Sequence, residues 1–200
     1  RGTEMKLQLH NIQDGVTVLG PGVRYGLWVQ GCLRRCPGCM TPQSQPREGG
    51  KWMETAQVAQ DIVRSGRTGL TISGGEPFLQ AEALCEVIGQ VRREQDMGVI
   101  IYTGNTLAEL QASDDPWVQA LLAQCDLLVD GAYIEALNDG KNLRGSSNQN
   151  AIPLTDRYRD WVGQYGSEPA KVEFFWKEDG ISMVGVPTKD VLERFAHTSF

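Results

Sequence analysis

The sequence contains no long hydrophobic run and little that would direct the chain to a membrane. No apolar stretch approaches the roughly 18 residues of a membrane-spanning helix. The N-terminal residues also lack the hydrophobic segment that secretory signal peptides carry. From these absences we expect a cytoplasmic protein without a membrane partner.

Positive charge is also in short supply. The 200 residues carry 19 Lys and Arg against 25 Asp and Glu, which gives a formal net charge of −6. Binding to nucleic acid requires a basic face that neutralises phosphates, so we expect no nucleic-acid partner.

The length suits one domain with a sizeable core and is too short for two. We therefore predict a single domain over residues 5–200, with a core at about 20–150 and a C-terminal extension at about 151–200.

Cysteine is scarce but clustered. The sequence has five cysteines, an odd number that cannot pair completely as disulfides. Cys32, Cys36 and Cys39 form a C-x3-C-x2-C motif within one short segment. A [4Fe–4S] cluster otherwise takes four cysteine thiolates, so this motif would leave one iron open. The flanking Arg34 and Arg35 would favour the thiolate form of the cysteines.

Two other interpretations of the cysteine motif stay open. A structural zinc site usually has four ligands in two pairs, whereas the two histidines, His10 and His197, are both distant from the motif in sequence. A chance cluster of three cysteines is the second alternative, and it is rarer. Cys85 and Cys125 fall in or just after apolar helix patterns, so we interpret both as buried core residues.

From residue 25 onward, short apolar strands alternate with helical patterns. Leu84, Val87, Ile88 and Val91 recur at helical spacing. Residues 99–103 instead form a continuous apolar run, which is typical of a strand buried on both faces of a parallel sheet. Repeated strand–helix units predict right-handed crossovers and parallel pairing.

The pattern changes near the C-terminus. Residues 171–177 and 181–184 flank an Asp179-Gly180 pair, which predicts a β-hairpin. A short helix at about 188–195 follows it.

Polar and glycine-rich segments follow four of the predicted strands, at residues 31–32, 73–76, 103–105 and 130–131. In parallel sheets and barrels the chemistry lies at the carboxyl ends of strands, so these segments predict one shared site.

Gly74 and Gly75 would let a ligand approach the backbone and would leave N–H groups free for a polar headgroup. Glu76 adds a carboxylate that could accept hydrogen bonds from an ammonium group. A plain strand-to-helix turn is the alternative for residues 73–77 taken alone.

A C-x3-C-x2-C motif followed by a Gly-Gly-Glu strand end resembles the radical S-adenosylmethionine superfamily. More narrowly, the order of further motifs resembles the activating enzymes of anaerobic ribonucleotide reductase. These motifs are residues 20–22 with Arg24, then 30–32, 37–39, 73–77, 102–104, 129–131 and 144–149 (Arg-Gly-Ser-Ser-Asn-Gln). The resemblance as a whole covers about 5–152. The chain departs from that pattern at residues 40–42 and at Asn105, and residues 152–200 match it less well.

The resemblance implies an α/β fold, an incomplete TIM-like (β/α) barrel with roughly four to six parallel strands, followed by the C-terminal hairpin and helix. It implies a [4Fe–4S] cluster on Cys32, Cys36 and Cys39, with S-adenosyl-L-methionine chelated by the fourth iron. The cofactor-binding residues that it implies are Ser73, Gly74, Gly75 and Glu76 near the amino group, Tyr102, Thr103 and Asn105 near the ribose or adenine, and Asp130 and Arg144 at the same rim. Surface or capping roles are the alternative for Asp130 and Arg144.

The implied function is reductive cleavage of S-adenosyl-L-methionine to a 5′-deoxyadenosyl radical, which abstracts hydrogen from the substrate. The leading expectation is activation of a glycyl radical enzyme such as anaerobic ribonucleotide reductase. That enzyme would be the protein substrate, and a flavodoxin or ferredoxin-type protein would be the electron donor. The alternatives are a radical enzyme acting on a peptide or small molecule, and a non-catalytic iron–sulfur or zinc module.

Overall fold

The computed structural model describes residues 4–165, 168–178 and 180–197. Its strands are β1 (Lys6–Val16), β2 (Arg24–Val29), β3 (Lys51–Glu54), β4 (Gly69–Gly74), β5 (Gly98–Tyr102), β6 (Leu127–Asp130), β7 (Asn150–Pro153), β8 (Val172–Lys177) and β9 (Gly180–Gly185). Its α-helices are α1 (Thr55–Ser65), α2 (Ala81–Glu94), α3 (Leu107–Gln111), α4 (Pro116–Gln124), α5 (Arg159–Tyr165) and α6 (Lys189–His197).

The central sheet has seven strands in the order β3-β1-β2-β4-β5-β6-β7. Its four middle strands, β2, β4, β5 and β6, pair in parallel. Antiparallel strands flank them, with β1 and β3 on one side and β7 on the other. The predicted α/β fold with parallel strands is confirmed. The sheet is open, because β3 and β7 lie at its two edges within the described part of the chain.

The helix predicted from residues 84–91 is present, whereas the sequence pattern predicted neither α3 nor α5. All four apolar positions of the predicted helix at 84–91 are buried in α2. Gly66 ends α1 with a φ of 68°, a left-handed conformation that glycine adopts without a Cβ penalty. Asp115 caps α4, since its carboxylate accepts a hydrogen bond from Trp117 N and Pro116 occupies the first turn.

Consecutive strand residues pack into cores on opposite faces of the sheet, as the two-residue period of a strand requires. Leu27 and Ile101 join the main core, which contains the buried faces of α1, α2 and α4. The neighbouring Trp28 and Ile100 belong to two smaller clusters on the other face. The parallel strands are thus covered on both sides, which explains their continuous apolar sequences.

Three strands of the sheet were not predicted from the sequence pattern. In β1 the pairing with β2 shifts register between Leu9 and Asn11, and this irregularity interrupts the alternation that marks a strand. The edge strands β3 and β7 have four residues each, none of them fully buried. Such short, half-exposed segments carry almost no hydrophobic signal.

The C-terminal hairpin and helix are present as predicted. Strands β8 and β9 pair antiparallel, and α6 covers the predicted helical segment. Asp179 of the predicted turn lies outside the described residues. In the described part of the chain, none of the helices combines the length and apolar character needed to cross a bilayer.

A buried arginine joins the beginnings of the parallel strands. Arg24, only 1% exposed at the start of β2, donates hydrogen bonds to Thr71 Oγ1 at 2.6 Å, Tyr158 Oη at 3.0 Å and Leu70 O at 2.8 Å. Longer bonds of 3.2 Å reach Gly98 O and Pro21 O. All five guanidinium donors are thereby used. This end of the sheet is opposite the strand ends that carry the predicted site.

Candidate functional site

An open cleft of about 930 Å³ lies at the carboxyl ends of the parallel strands. Cys32, Cys36 and Cys39 all line it and are half-buried. The cleft also brings together most of the predicted binding residues, namely Ser73, Gly74, Gly75, Glu76, Tyr102 and Thr103. Residues that lie up to 71 positions apart in sequence therefore share one site, as the strand-end argument predicted.

The cysteine loop has a tight backbone without a hydrophobic core of its own. Cys32 N donates to Gln45 O at 2.8 Å, and Cys39 N donates to Cys36 O at 3.2 Å. Arg35 and Gly38 adopt positive φ values of 48° and 68°. Within the described part of the chain, no three His, Cys, Asp or Glu side chains are grouped so that they could hold a single metal ion.

Two buried glutamine side chains hold the residues that follow the cysteines. Gln8 Nε2 donates to Arg47 O at 2.8 Å and Gly49 O at 2.7 Å. Gln30 Nε2 donates to Pro46 O at 2.7 Å and Gln43 O at 3.0 Å. These bonds satisfy loop carbonyls that would otherwise have no secondary-structure partner.

Sequence reasoning missed the role of Gln8. Gln80 completes the arrangement, because its amide exchanges hydrogen bonds with the backbone of Gln8 and also donates to Gln30 O at 3.0 Å. No local pattern marks these glutamines as partners, since 72 residues separate Gln8 from Gln80.

Burial outweighs the effect predicted for the flanking arginines at the first cysteine. Desolvation raises the pKa of the Cys32 thiol, and hydrogen bonds with the backbone of Arg34 and Arg35 oppose this rise only in part. The two arginines therefore lower the pKa of Cys32 in the predicted direction, but the net result is a raised pKa. Their contribution comes from the backbone and is smaller than the cost of burial.

The two glycines of the 73–77 segment permit close contact with the cysteine loop. A Cβ on Gly74 would lie 2.4 Å from Val29 N, and a Cβ on Gly75 would lie 2.1 Å from Gly31 O. The N–H groups of Gly75 and Glu76 donate to Val29 O and Gly31 O, each at 2.8 Å. The prediction that these N–H groups are free for a ligand is therefore wrong, because they attach the end of β4 to the last residue of β2 and to the start of the cysteine loop.

Glu76 is 5% exposed and accepts three internal hydrogen bonds. Its Oε1 accepts from Phe78 N at 3.1 Å and from Thr103 Oγ1 at 2.8 Å, and its Oε2 accepts from Gly104 N at 2.9 Å. Desolvation raises the pKa of Glu76, and these hydrogen bonds oppose the rise. The carboxylate therefore joins the ends of β4 and β5 at the floor of the cleft.

Three of the predicted cofactor-binding residues, Asn105, Asp130 and Arg144, are not among the residues that line the cleft. The Asn105 side chain has an internal partner, because its Nδ2 donates to Thr103 Oγ1 at 3.1 Å. Asp130 is buried, and its carboxylate accepts from Leu107 N at 2.8 Å and from Asn150 Nδ2 at 3.0 Å. Its contacts support the capping alternative rather than a place at the rim.

Arg144 pairs with Asp139 at 2.6 Å and lines a separate cavity of about 650 Å³ beside α5. Other residues of the same motif do reach the cleft. Gly145 and Gln149 line it, and Gln149 Oε1 accepts from Gly145 N at 2.7 Å. The 144–149 motif thus contributes a folded loop to the cleft. The ion pair of Arg144 with Asp139 supports the surface role that was the alternative for this arginine.

The C-terminal extension forms part of the cleft wall. Gly185 and Val186 line the cleft together with Trp28 of β2 and Met40 of the cysteine loop. Val184 and Val186 are 3% and 5% exposed, and they pack in one cluster with Trp28. The predicted site residues included none from this extension, since hairpin periodicity does not indicate where a hairpin will dock.

Cys85 and Cys125 are core residues, as predicted. Both belong to the main hydrophobic core. Burial raises the pKa of Cys85 to about 11 and that of Cys125 to about 12. Both raised pKa values disfavour the thiolate form that acts as a metal ligand.

A family model described as a 4Fe-4S single cluster domain matches residues 18–152. The chain belongs to this family. The match spans the cysteine loop and the four parallel strands, and it ends before β8, β9 and α6. The iron–sulfur cluster predicted from the cysteine motif is thus the cofactor that the family description names.

Several known proteins are similar to this member of the family. An anaerobic ribonucleoside-triphosphate reductase-activating protein of Vibrio cholerae is 37% identical over 142 residues, which are 66% of this chain and 88% of the relative. The Escherichia coli K12 protein of the same description is 32% identical over 141 residues, with 66% and 89% coverage. The Escherichia coli K12 pyruvate formate-lyase 1-activating enzyme is 29% identical over 153 residues, which are 72% of this chain and 59% of that enzyme. These relatives confirm the resemblance to activating enzymes.

Proposed function

We propose that this protein is a radical S-adenosylmethionine enzyme that activates a glycyl radical enzyme, with anaerobic ribonucleotide reductase as the first candidate. The observation that carries the proposal is the convergence of three cysteines and two strand-end segments, 73–76 and 102–104, on one open cleft. The names of the similar proteins support the activating role.

The cleft residues fit a cluster together with its cofactor. Three thiols from a single loop suit three corners of a [4Fe–4S] cluster and leave the fourth iron for S-adenosyl-L-methionine. The cleft combines apolar lining residues such as Trp28 and Val186 with polar ones such as Ser73 and Glu76, which is typical of small-molecule sites. Ser73, Gly74, Gly75, Glu76, Tyr102 and Thr103 would bind the cofactor.

When bound, the cluster and the cofactor supply one-electron cleavage of S-adenosyl-L-methionine and hydrogen abstraction from the substrate. The protein's part is to orient these groups and to exclude water. Leu19, Trp28 and Val186 give the cleft apolar walls, and the bonds of Gly75 and Glu76 to the cysteine loop fix the loop against β4. Such rigid support keeps reacting atoms at a productive distance.

The open sheet supports a protein substrate. We infer that the fold is an incomplete (β/α) barrel, in which the edges at β3 and β7 of the described sheet would leave a lateral opening for an extended glycine-containing segment. A flavodoxin or ferredoxin-type protein would deliver the electron. The proposal includes a cytoplasmic location.

Isotope transfer tests this function. The anaerobic ribonucleotide reductase of the same organism, deuterated at glycine Cα, is incubated with reduced, reconstituted protein and S-adenosyl-L-methionine. Direct abstraction should place deuterium in the 5′-deoxyadenosine product.

Cys36→Ala should lose iron, sulfide and cofactor cleavage, whereas the buried Cys85→Ala should keep all three at a stability cost of about 1–2 kcal/mol.

Two results would contradict the proposal in different ways. A Cys36→Ala variant that kept a full four-iron cluster and still cleaved the cofactor would refute the ligand assignment. Cofactor cleavage without deuterium transfer would instead favour a second candidate, a radical enzyme acting on a peptide or small molecule. The wall formed by Gly185 and Val186, outside the family match, is the observation that favours this candidate.

A further inference from the structure

Arg34 extends from the cysteine motif to the end of β5. Its Nη2 atom donates to Asn105 Oδ1 at 2.8 Å and forms an ion pair with Glu109 Oε2 at 3.1 Å. The Arg34 side chain is 31% exposed and lines the cleft. One nitrogen thus connects the loop between Cys32 and Cys36 to two residues that follow the carboxyl end of β5.

The contact with Asn105 continues to the buried carboxylate. Both Asn105 N and Asn105 Nδ2 donate to Thr103 Oγ1, at 3.0 and 3.1 Å. Thr103 Oγ1 in turn donates to Glu76 Oε1 at 2.8 Å. A hydroxyl has one donor and two acceptor positions, so Thr103 is fully used and its orientation is fixed.

Glu109, the second partner of Arg34, is held in place by its own helix. Its Oε2 accepts from Thr106 N at 2.6 Å, and Thr106 Oγ1 accepts from Glu109 N at 3.2 Å. This reciprocal pair is a capping box at the start of α3. Arg34 therefore binds two acceptors whose positions do not depend on the cysteine loop.

The Arg34 side chain passes close to Gly104. A Cβ at this position would lie 2.4 Å from Arg34 Cδ. Its φ is not in the left-handed region, so the space that the Arg34 side chain occupies, rather than backbone conformation, favours a glycine here.

We propose that Arg34 is a positioning residue that holds the cysteine loop against the end of β5 and so sets the cluster's place relative to residues 76 and 102–104. The effect on S-adenosyl-L-methionine binding rests on the proposed function. The effect of Arg34 on the cysteine loop does not rest on the proposed function, because it depends only on contacts within the chain.

Arg35 provides the matched control. It is the next residue, carries the same charge, is exposed and takes part in none of the described side-chain hydrogen bonds. Arg34→Gln and Arg35→Gln remove equal charge from the neighbourhood of the cluster. A difference between the two variants therefore reports the contacts with Asn105 and Glu109.

Two measurements on the reconstituted protein test the inference. Hydrogen-exchange mass spectrometry should show faster exchange in residues 31–41 for Arg34→Gln than for Arg35→Gln, with equal iron and sulfide content. Titration of the reduced cluster with S-adenosyl-L-methionine, followed by electron paramagnetic resonance, should show a dissociation constant raised about three- to tenfold for Arg34→Gln alone. That range suits a partly exposed, charge-assisted contact.

Arg34→Lys distinguishes positioning from general structural damage. Both contacts come from one nitrogen, and an ammonium group offers three donors, so lysine should restore exchange and affinity to within about twofold of the native values. Equal behaviour of Arg34→Gln and Arg35→Gln in loop exchange would overturn the inference. Absence of cofactor binding by the native protein, with the exchange difference intact, would overturn the proposed function instead.

Discussion

Single residues in the cleft serve the fold and the site together. Glu76 illustrates this, because its carboxylate joins β4 to β5 through three donors while it forms the cleft floor. The sequence indicated an acceptor for an ammonium group. The structure shows that most of its acceptor capacity is used inside the protein.

Replacement of Glu76 should therefore affect stability as well as binding. Glu76→Ala leaves Phe78 N, Thr103 Oγ1 and Gly104 N without their acceptor, and each unsatisfied buried donor costs about 1–3 kcal/mol. Allowing for water that enters the space, we expect a loss of roughly 2–4 kcal/mol in the free energy of unfolding of the apo protein. Chemical denaturation would measure it, and an unchanged midpoint would contradict the hydrogen-bond assignment.

The pH dependence of that loss has a definite sign. Burial raises the pKa of Glu76 above its unfolded value, so the folded chain binds this proton more tightly than the unfolded chain. The stability that Glu76 contributes should then fall as pH rises from the unfolded pKa through the raised folded pKa. The difference between native protein and Glu76→Ala should accordingly shrink with rising pH in this interval, and a growing difference would contradict the direction of the shift.

At the level of elements, the parallel strands are joined at both ends by side chains. Arg24 connects the beginnings of β2, β4 and β5, and the glycine and glutamine contacts connect their carboxyl ends to the cysteine loop. Desolvation lowers the pKa of Arg24, and its contact with Tyr158 opposes the change. A buried guanidinium of this kind is tolerated because every donor is satisfied.

Arg24→Leu should destabilise the sheet without touching the cleft. Tyr158 Oη, Leu70 O and Gly98 O would lose a donor in a buried place, for which we expect a cost of about 2–4 kcal/mol. Arg159→Ala is the control, because Arg159 is 64% exposed and, among the described residues, forms an ion pair only with an exposed Asp156; its cost should stay below about 1 kcal/mol. Equal denaturation midpoints for the two variants would argue against Arg24 as a link between strands.

At the level of the whole molecule, the C-terminal hairpin and the sheet should unfold together as one domain. Val184 and Val186 pack against Trp28, and Glu173 Oε2 accepts from Thr17 N at 2.9 Å. Lys177 Nζ also donates to Ile12 O at 3.3 Å. The hairpin thus shares both an apolar core and polar contacts with β1 and β2.

Val184→Ala tests this cooperativity. Loss of two buried methyl groups should cost about 1–2 kcal/mol and shift the whole unfolding transition, measured equally by far-UV circular dichroism and by tryptophan fluorescence. Glu193→Ala, exposed on α6, should leave the midpoint within about 0.5 kcal/mol. Two separate transitions in the Val184→Ala protein would show that the extension is an independent unit.

The sequence by itself determined the family, the parallel α/β core and the helix at 84–91, and it predicted the three cysteines as cluster ligands. These features depend on residues close together in the chain, so spacing and periodicity record them. Only the tertiary structure decided that Gln8 supports the cysteine loop, that Val186 lines the cleft, and that Asp130 and Arg144 have internal partners. Such contacts join residues as far apart as Arg24 and Tyr158, 134 positions in sequence, and no local pattern records a pairing made by the folding of the whole chain.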